Sequence, residues 1–267
     1  DVGYISSGGT HLPDGKGDIW VIKTDINGNP QWNKTFGGDN SDFPNDIHQT
    51  SDGGYIIAGV TLSFGEGPLA NAWIIKIDLS GKGQWNKTFH DSGYESAISI
   101  QQTSDGGYIF VSEKDSSPYN GIWLVKLDAN GNALWNKTFG NSQDDNPSSV
   151  QQTSDGGYIV GGTTSSSAAN YYDFWLIKTD SNGLEQWNKT FDSGGSETAT
   201  SAQQTSDGGY IISGGKLSVV TGSLDIWLIK LKSDNDTAPP DISIIYPING
   251  STITTNSTWL NVTTDKD

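Results

Sequence analysis

Apolar positions along this chain come in short runs, separated every few residues by Gly, Asn, Asp and Ser. Tyr108-Ile109-Phe110-Val111 and Ile122-Trp123-Leu124-Val125-Lys126-Leu127 are rich in β-branched and aromatic residues, which suits strands. No run shows the 3.6-residue period of an amphipathic helix. The stretch Ser104-Asp105-Gly106-Gly107 suits a tight hairpin because glycine accepts positive φ, and Asp128-Ala129-Asn130-Gly131 reads as a second turn. One unit therefore predicts four strands: A (Ser99 to Thr103), B (Tyr108 to Val111), C (Ile122 to Leu127) and D (Leu134 to Phe139). Short A–B and C–D turns make neighbouring strands antiparallel.

This unit recurs. Asp-Gly-Gly-Tyr starts at Asp52, Asp105, Asp155 and Asp207, and Asp1-Val2-Gly3-Tyr4 is a fifth copy with one change. A Trp-aliphatic-aliphatic-Lys string follows at Trp20, Trp73, Trp123, Trp175 and Trp227, and Trp-Asn-Lys-Thr-Phe starts at Trp32, Trp85, Trp135 and Trp187. Four antiparallel strands per repeat of this length predict an all-β fold, a β-propeller of at least five four-stranded blades. Strand A, with Gln49, Gln102, Gln152 and Gln204 at one position, is expected innermost, and D outermost. Strand C is apolar on both faces, as a strand between stacked sheets should be. The first repeat lacks strand A and the fifth lacks strand D. The expectation is a truncated or processed start, with upstream residues closing the ring. Further blades and strands donated by a neighbouring molecule are the other readings.

The repeats occupy residues 1–232. Residues 233–240, with Thr237-Ala238-Pro239-Pro240, read as a linker. Residues 241–267 hold two short strand signals, too few for an independent domain. They read as the opening of an immunoglobulin-like module or as a docking tail.

Composition narrows the function. The 267 residues carry a net charge of −16, and all 15 bases are lysine. A nucleic-acid partner would need a basic face, so it is excluded. There is no Cys, which removes disulfides and thiolate metal sites. No run approaches the ~18 apolar residues of a membrane span, so no insertion is expected within this segment.

Candidate chemistry is of three kinds. Asn-x-Ser/Thr sequons occur at Asn33, Asn86, Asn136 and Asn188 in strand D, and at Asn235, Asn249, Asn256 and Asn261 beyond the repeats. They predict N-linked glycans on a secreted chain, although duplication of one strand accounts for four of them together. The D–A connections are acidic, with Asp39, Asp42, Asp46, Asp91, Glu95, Asp144, Asp145, Asp192 and Glu197. Together with the variable B–C loops they form the expected binding face, able to hold Ca²⁺ weakly or simply solvated. No other cofactor is expected. Asp-x-x-Gly turns such as Asp25-Ile26-Asn27-Gly28 faintly resemble a calcium loop, but hairpin geometry explains them. The three histidines, His11, His48 and His90, share no motif, so neither a His-rich metal site nor a catalytic triad is expected. Nine of the ten Trp sit at repeated strand positions and read as core rather than as sugar platforms.

The strings Gln-Gln-Thr-Ser-Asp-Gly-Gly-Tyr-Ile, Trp-Leu-Ile-Lys-Thr-Asp-x-Asn-Gly and Gln-Trp-Asn-Lys-Thr-Phe resemble propeller repeats of archaeal, methanogen-type cell-surface and secreted proteins. The likeness covers residues 1 to about 232, and Thr-Ala-Pro-Pro resembles the start of the Ig-like or PKD-like modules that follow such repeats. The resemblance implies an extracellular surface glycoprotein and no particular activity. The resulting expectation is a non-catalytic structural or adhesive component of a surface layer or filament, partnered by copies of itself or by other surface proteins and glycans. A glycan- or protein-binding propeller is the alternative. A polysaccharide-active enzyme with paired Asp residues is the third reading.

Overall fold

The structure, a computed structural model, describes residues 3–10, 15–67, 69–91, 93–115, 120–140, 144–165, 171–217 and 224–233. Every regular element among them is a β-strand, and the strands form five antiparallel sheets. The first sheet is β1 (Tyr4–Gly9), β2 (Ile19–Thr24) and β3 (Pro30–Phe36). The second is β4 (Asp42–Gln49), β5 (Tyr55–Thr61), β6 (Asn71–Ile77) and β7 (Gly83–Phe89). The third is β8 (Glu95–Gln102), β9 (Tyr108–Asp115), β10 (Asn120–Leu127) and β11 (Ala133–Phe139). The fourth is β12 (Asp145–Gln152), β13 (Tyr158–Ser165), β14 (Tyr172–Thr179) and β15 (Glu185–Phe191). The fifth is β16 (Ser196–Gln204), β17 (Tyr210–Leu217) and β18 (Leu224–Leu231).

The all-β class, the A-B-C-D order and the three-stranded first and fifth sheets are as expected among the described residues. Strands A start earlier than expected, at Glu95 rather than Ser99 in the third sheet. A bulge between Ala97 and Ser99 inserts one residue and lets pairing continue beyond it, and the same irregularity recurs in β4, β12 and β16. The segments expected as linker and terminal module lie outside the described residues beyond Ser233, and so do Asn235, Asn249, Asn256 and Asn261.

The chain divides into two compact units, Asp1–Phe139 and Gly140–Asp267. In the first unit, Ile19 and Val21 of β2 pack with Ile57, Trp73 and Ile75 of the second sheet. The opposite face of that sheet, through Ile56, Ala58 and Ile74, packs with Ala97, Phe110, Trp123 and Val125 of the third. In the second unit, Phe174 and Leu176 pack with Ala202, Ile212, Trp227 and Ile229. Successive strand residues point to opposite faces, so middle strands buried on both sides need apolar residues at nearly every position.

The repeated strings correspond to contacts between strands. Trp Nε1 of each complete strand pair C–D donates to the strand-D asparagine: Trp73 to Asn86 at 3.3 Å, Trp123 to Asn136 at 3.2 Å and Trp175 to Asn188 at 3.2 Å. The strand-D Trp packs edge-on against the Tyr that opens the next sheet's strand B, as in Trp85 with Tyr108 and Trp187 with Tyr210. The buried strand-C lysine reaches the aspartate of the A–B turn, with Lys76 2.9 Å from Asp52 and Lys178 2.7 Å from Asp155. Hydrogen bonds from neighbouring hydroxyls, these lysines and turn amides outweigh burial and hold Asp52, Asp105 and Asp155 down to about 2. The second glycine of the turn is dictated by space: a Cβ on Gly107 would lie 2.2 Å from Leu127 O. The C–D turns are closed by their aspartates: Asp25 Oδ1 accepts from the amides of Asn27 and Asn29, as a tight hairpin turn uses them.

Candidate active site

In the second to fifth sheets, at the end away from the short turns, strand A begins with a buried acid: Asp42, Glu95, Asp145 and Glu197. These four were expected on solvated D–A loops. The structure puts them instead in the first residues of β4, β8, β12 and β16, where the bulge-extended strand carries them inward. Each is fed by nearby donors. Asp42 Oδ2 accepts from Gly38 N at 3.0 Å and Ser63 Oγ at 2.7 Å. Glu95 accepts from Gly93 N at 3.0 Å and faces His90 Nδ1 at 2.9 Å. Burial lifts Asp145 to about 6, against a hydrogen bond from Thr164 and with the charge of Asp144 adding to the rise.

The other acids of the expected face are scattered. Asp39 and Asp91 are exposed, and Asp91 pairs with Lys114 at 2.7 Å. Asp144 is half-buried next to Asp145. Asp46 is half-buried, takes a hydrogen bond from Ile100 N at 3.0 Å and pairs with His48 at 3.1 Å. No two of the described histidines meet, and His11 lies outside the described residues.

One corner, wholly within the second unit, gathers carboxylates without a histidine. Asp173 on β14, Asp192 just after β15 and Glu197 on β16 offer oxygens that all lie within 4.8 Å of one another. Asp173 is 5% exposed and Glu197 0%, while Asp192 opens to solvent. Glu197 Oε1 accepts from the Ser193 hydroxyl. Its Oε2 has no N–H or O–H donor when all three carboxyls are ionised. Asp173 lies within hydrogen-bonding reach of Glu197, so a proton on Asp173 supplies a donor. Burial first, then the charges of Asp192 and Glu197, then that hydrogen bond push Asp173 up to about 7. Burial also raises Glu197, while Ser193 and the Lys216 ammonium oppose the rise. Lys216 is anchored by Ser193 O at 3.2 Å. Tyr171, exposed, precedes Asp173 by two residues.

The strand-D sequons turn out to have a structural role as well. Asn33, Asn86 and Asn136 are exposed and Asn188 is half-buried, and each carbonyl oxygen accepts from a strand-C indole. This contact accounts for the repetition of the Asn whether or not it carries sugar.

Asp192 and Glu197 were among the residues singled out by sequence; Asp173 was not. The signal was the column immediately before the strand-C Phe or Ile, which reads Asp18, Asn71, Gly121, Asp173 and Asp225 across the repeats. Only alignment of that column with the residue after strand D places Asp173 beside Asp192.

Fold and corner together define an all-β repeat protein with a proton-sharing carboxylate set. No family model matches the chain, and no curated protein matches it. Two solved structures are similar to it: an endo-arabinase from Bacteroides thetaiotaomicron VPI-5482 at 13% identity, TM-score 0.46, covering 94% of this chain and 97% of that one, and a putative exo-β-1,3-galactanase from Bifidobacterium bifidum s17 at 14% identity, TM-score 0.46, covering 91% of each. The expectation of a non-catalytic surface component, and with it the reading that the chain is not an enzyme, is corrected here. Both matched proteins are named as enzymes. Folding of β14 to β16 also brings together carboxylates, Asp173, Asp192 and Glu197, that linear sequence keeps apart.

Proposed function

We propose that the chain is a polysaccharide-active hydrolase that cleaves glycosidic bonds at the Asp173–Asp192–Glu197 corner. The observation that carries this reading is a buried carboxyl, Asp173, grouped with two further carboxyls and pushed up to about 7 by burial and their charges. Glycoside hydrolysis needs only such a set: one carboxyl to protonate the leaving oxygen and one to act on the anomeric carbon. The chain has no Arg to grip anionic substrates and no Cys for thiol chemistry, which favours a neutral substrate.

Asp173 is the acid. Its proton passes to the glycosidic oxygen as the C–O bond breaks. Asp192, the exposed member, attacks the anomeric carbon. Water then displaces Asp192, giving its proton back to Asp173, so the two half-reactions restore the site. Separation supports this order. Retaining enzymes hold their carboxyls about 5–5.5 Å apart, whereas inverting ones leave roughly 6.5–9.5 Å for a water. Oxygens within 4.8 Å fit the first. Glu197, fully buried, acts by holding the proton on Asp173. Tyr171 is placed to stack on a sugar ring.

Within this reading the five sheets are blades of a β-propeller, supported by face-to-face packing of successive sheets inside each unit. The chain works outside the cell with N-linked glycans on strand D, supported by the sequons. Release of reducing ends from a panel of neutral polysaccharides by the wild type, lost in Asp173→Asn, tests the proposal. No turnover on the whole panel, or equal turnover by the variant, would overturn it.

A further inference from the structure

We infer that the free edge of β18 is an acceptor for one more antiparallel strand of the Trp-Asn-Lys-Thr-Phe type, held by the indole of Trp227. In the four other sheets the strand-C Trp donates Nε1 to the asparagine of a neighbouring fourth strand, at 3.2–3.5 Å. Trp227 is the fifth member of that series. Its ring is 0% exposed, packed on Phe174 at 4.9 Å, yet its buried Nε1 has no acceptor among the described residues. Buried N–H groups are almost always paired, so this one marks the place of a partner.

The apolar residues agree. Ile226 is 61% exposed, while Ile19, Ala72, Ile122 and Phe174 at the same position are all 0% exposed. In those four sheets the residue pairs with the Phe that ends the fourth strand: Phe36, Phe89, Phe139 and Phe191. The register is therefore set in advance. The incoming Phe faces Ile226, its Thr faces Trp227 and its Asn faces Ile229, as Phe191, Thr190 and Asn188 face Phe174, Trp175 and Ile177. The occupant is a separate polypeptide strand of this chemistry. Its single charge, a lysine, complements a chain of net charge −16. Main-chain hydrogen bonds to the edge supply affinity and the Asn–indole contact supplies selectivity. This site uses none of the carboxylates of the corner and does not rest on the activity proposed for it, although Lys216 lies 5.9 Å from the Trp227 ring centroid.

The test uses the full chain, labelled with ¹⁵N, and the synthetic peptide Gln-Trp-Asn-Lys-Thr-Phe with both ends capped. The Trp227 indole N–H resonance should shift on titration and the amides of β18 should gain exchange protection. The same peptide with its Asn replaced by Ala should bind about tenfold more weakly, as loss of one buried hydrogen bond implies. With Trp227→Phe the two peptides should bind alike, which separates the indole contact from general edge pairing. No shift at millimolar peptide would overturn the inference. Equal binding of both peptides to the wild type would do the same. So would concentration-dependent self-association that protects β18 without peptide, because a second copy would then be the occupant.

Discussion

Glu95 in the first unit and Glu197 in the second occupy the same position in two copies of one repeat, and their surroundings have diverged. Both are fully buried at the head of strand A. After strand D the repeat places His90 next to Glu95 but Asp192 next to Glu197. Before strand C it places Asn71 in one corner and Asp173 in the other. The first corner is consequently closed: His90 Nδ1 meets Glu95 Oε2 at 2.9 Å, and Asn71 Nδ2 donates to Leu69 O at 3.0 Å. The second corner holds three acids, and burial together with the charges of Asp192 and Glu197 pushes Asp173 up. The same scaffold position meets an imidazole in one copy of the repeat and two further carboxyls in the other. Because the two corners share backbone geometry, the first is an internal control for the second.

The largest expected effect separates the two corners by activity. Asp173→Asn should lower hydrolysis about 10²- to 10⁴-fold, the usual contribution of a general acid, whereas Glu95→Gln should leave it unchanged. Reducing-end assays on purified variants decide this. Next is stability at the first corner. His90→Ala leaves Glu95 buried without its main partner and should cost about 1–3 kcal/mol in urea unfolding. Asp192→Ala removes a like charge from the second corner and should not destabilise the fold.

The pH dependence sharpens the contrast. Asp173 is raised on folding from the ordinary value of 3.8 to about 7, so the folded chain binds this proton more tightly than the unfolded one. Stability from this group is fully present below pH about 4 and is lost as pH rises through about 7. Asp173→Asn should flatten that slope, and Glu197→Gln should move it to lower pH by removing a charge that holds the proton. The clasp aspartates run the opposite way. Asp105 is depressed to about 2, so its contribution is present above pH about 4 and is lost as pH falls through about 2. That aspartate is largely solvent-exposed, so Asp105→Asn should cost at most about 1 kcal/mol at neutral pH.

Strand order and the three-stranded first and fifth sheets were readable because they depend on local pattern. Asp-Gly-Gly-Tyr fixes a turn, and the Trp, Lys and Phe columns fix which strand follows. The function was misread because it depends on depth. Glu197 looks like one more loop acid in sequence, yet a single bulged residue near Thr200 extends β16 and carries it into the interior. Asp173 was missed for a related reason. It stands next to a core Phe in a strand that reads as wholly structural, and only the β14–β15 pairing, which sets Phe174 opposite Phe191, brings it to Asp192. Duplication of one strand already accounted for four of the sequons in sequence, and the indole contacts of Asn86 and Asn136 add a packing reason for the Asn that sequence does not reveal.

The central claim is that Asp173 keeps its proton near neutrality. It is tested by following the side-chain carboxyl carbons of ¹³C-labelled aspartate by NMR from pH 3 to 9, with Asp173→Asn used to assign the signal. The account predicts that the Asp173 signal titrates near 7 and moves to lower pH in Glu197→Gln. Titration within the ordinary carboxylate range, unmoved by the Glu197 substitution, would contradict it.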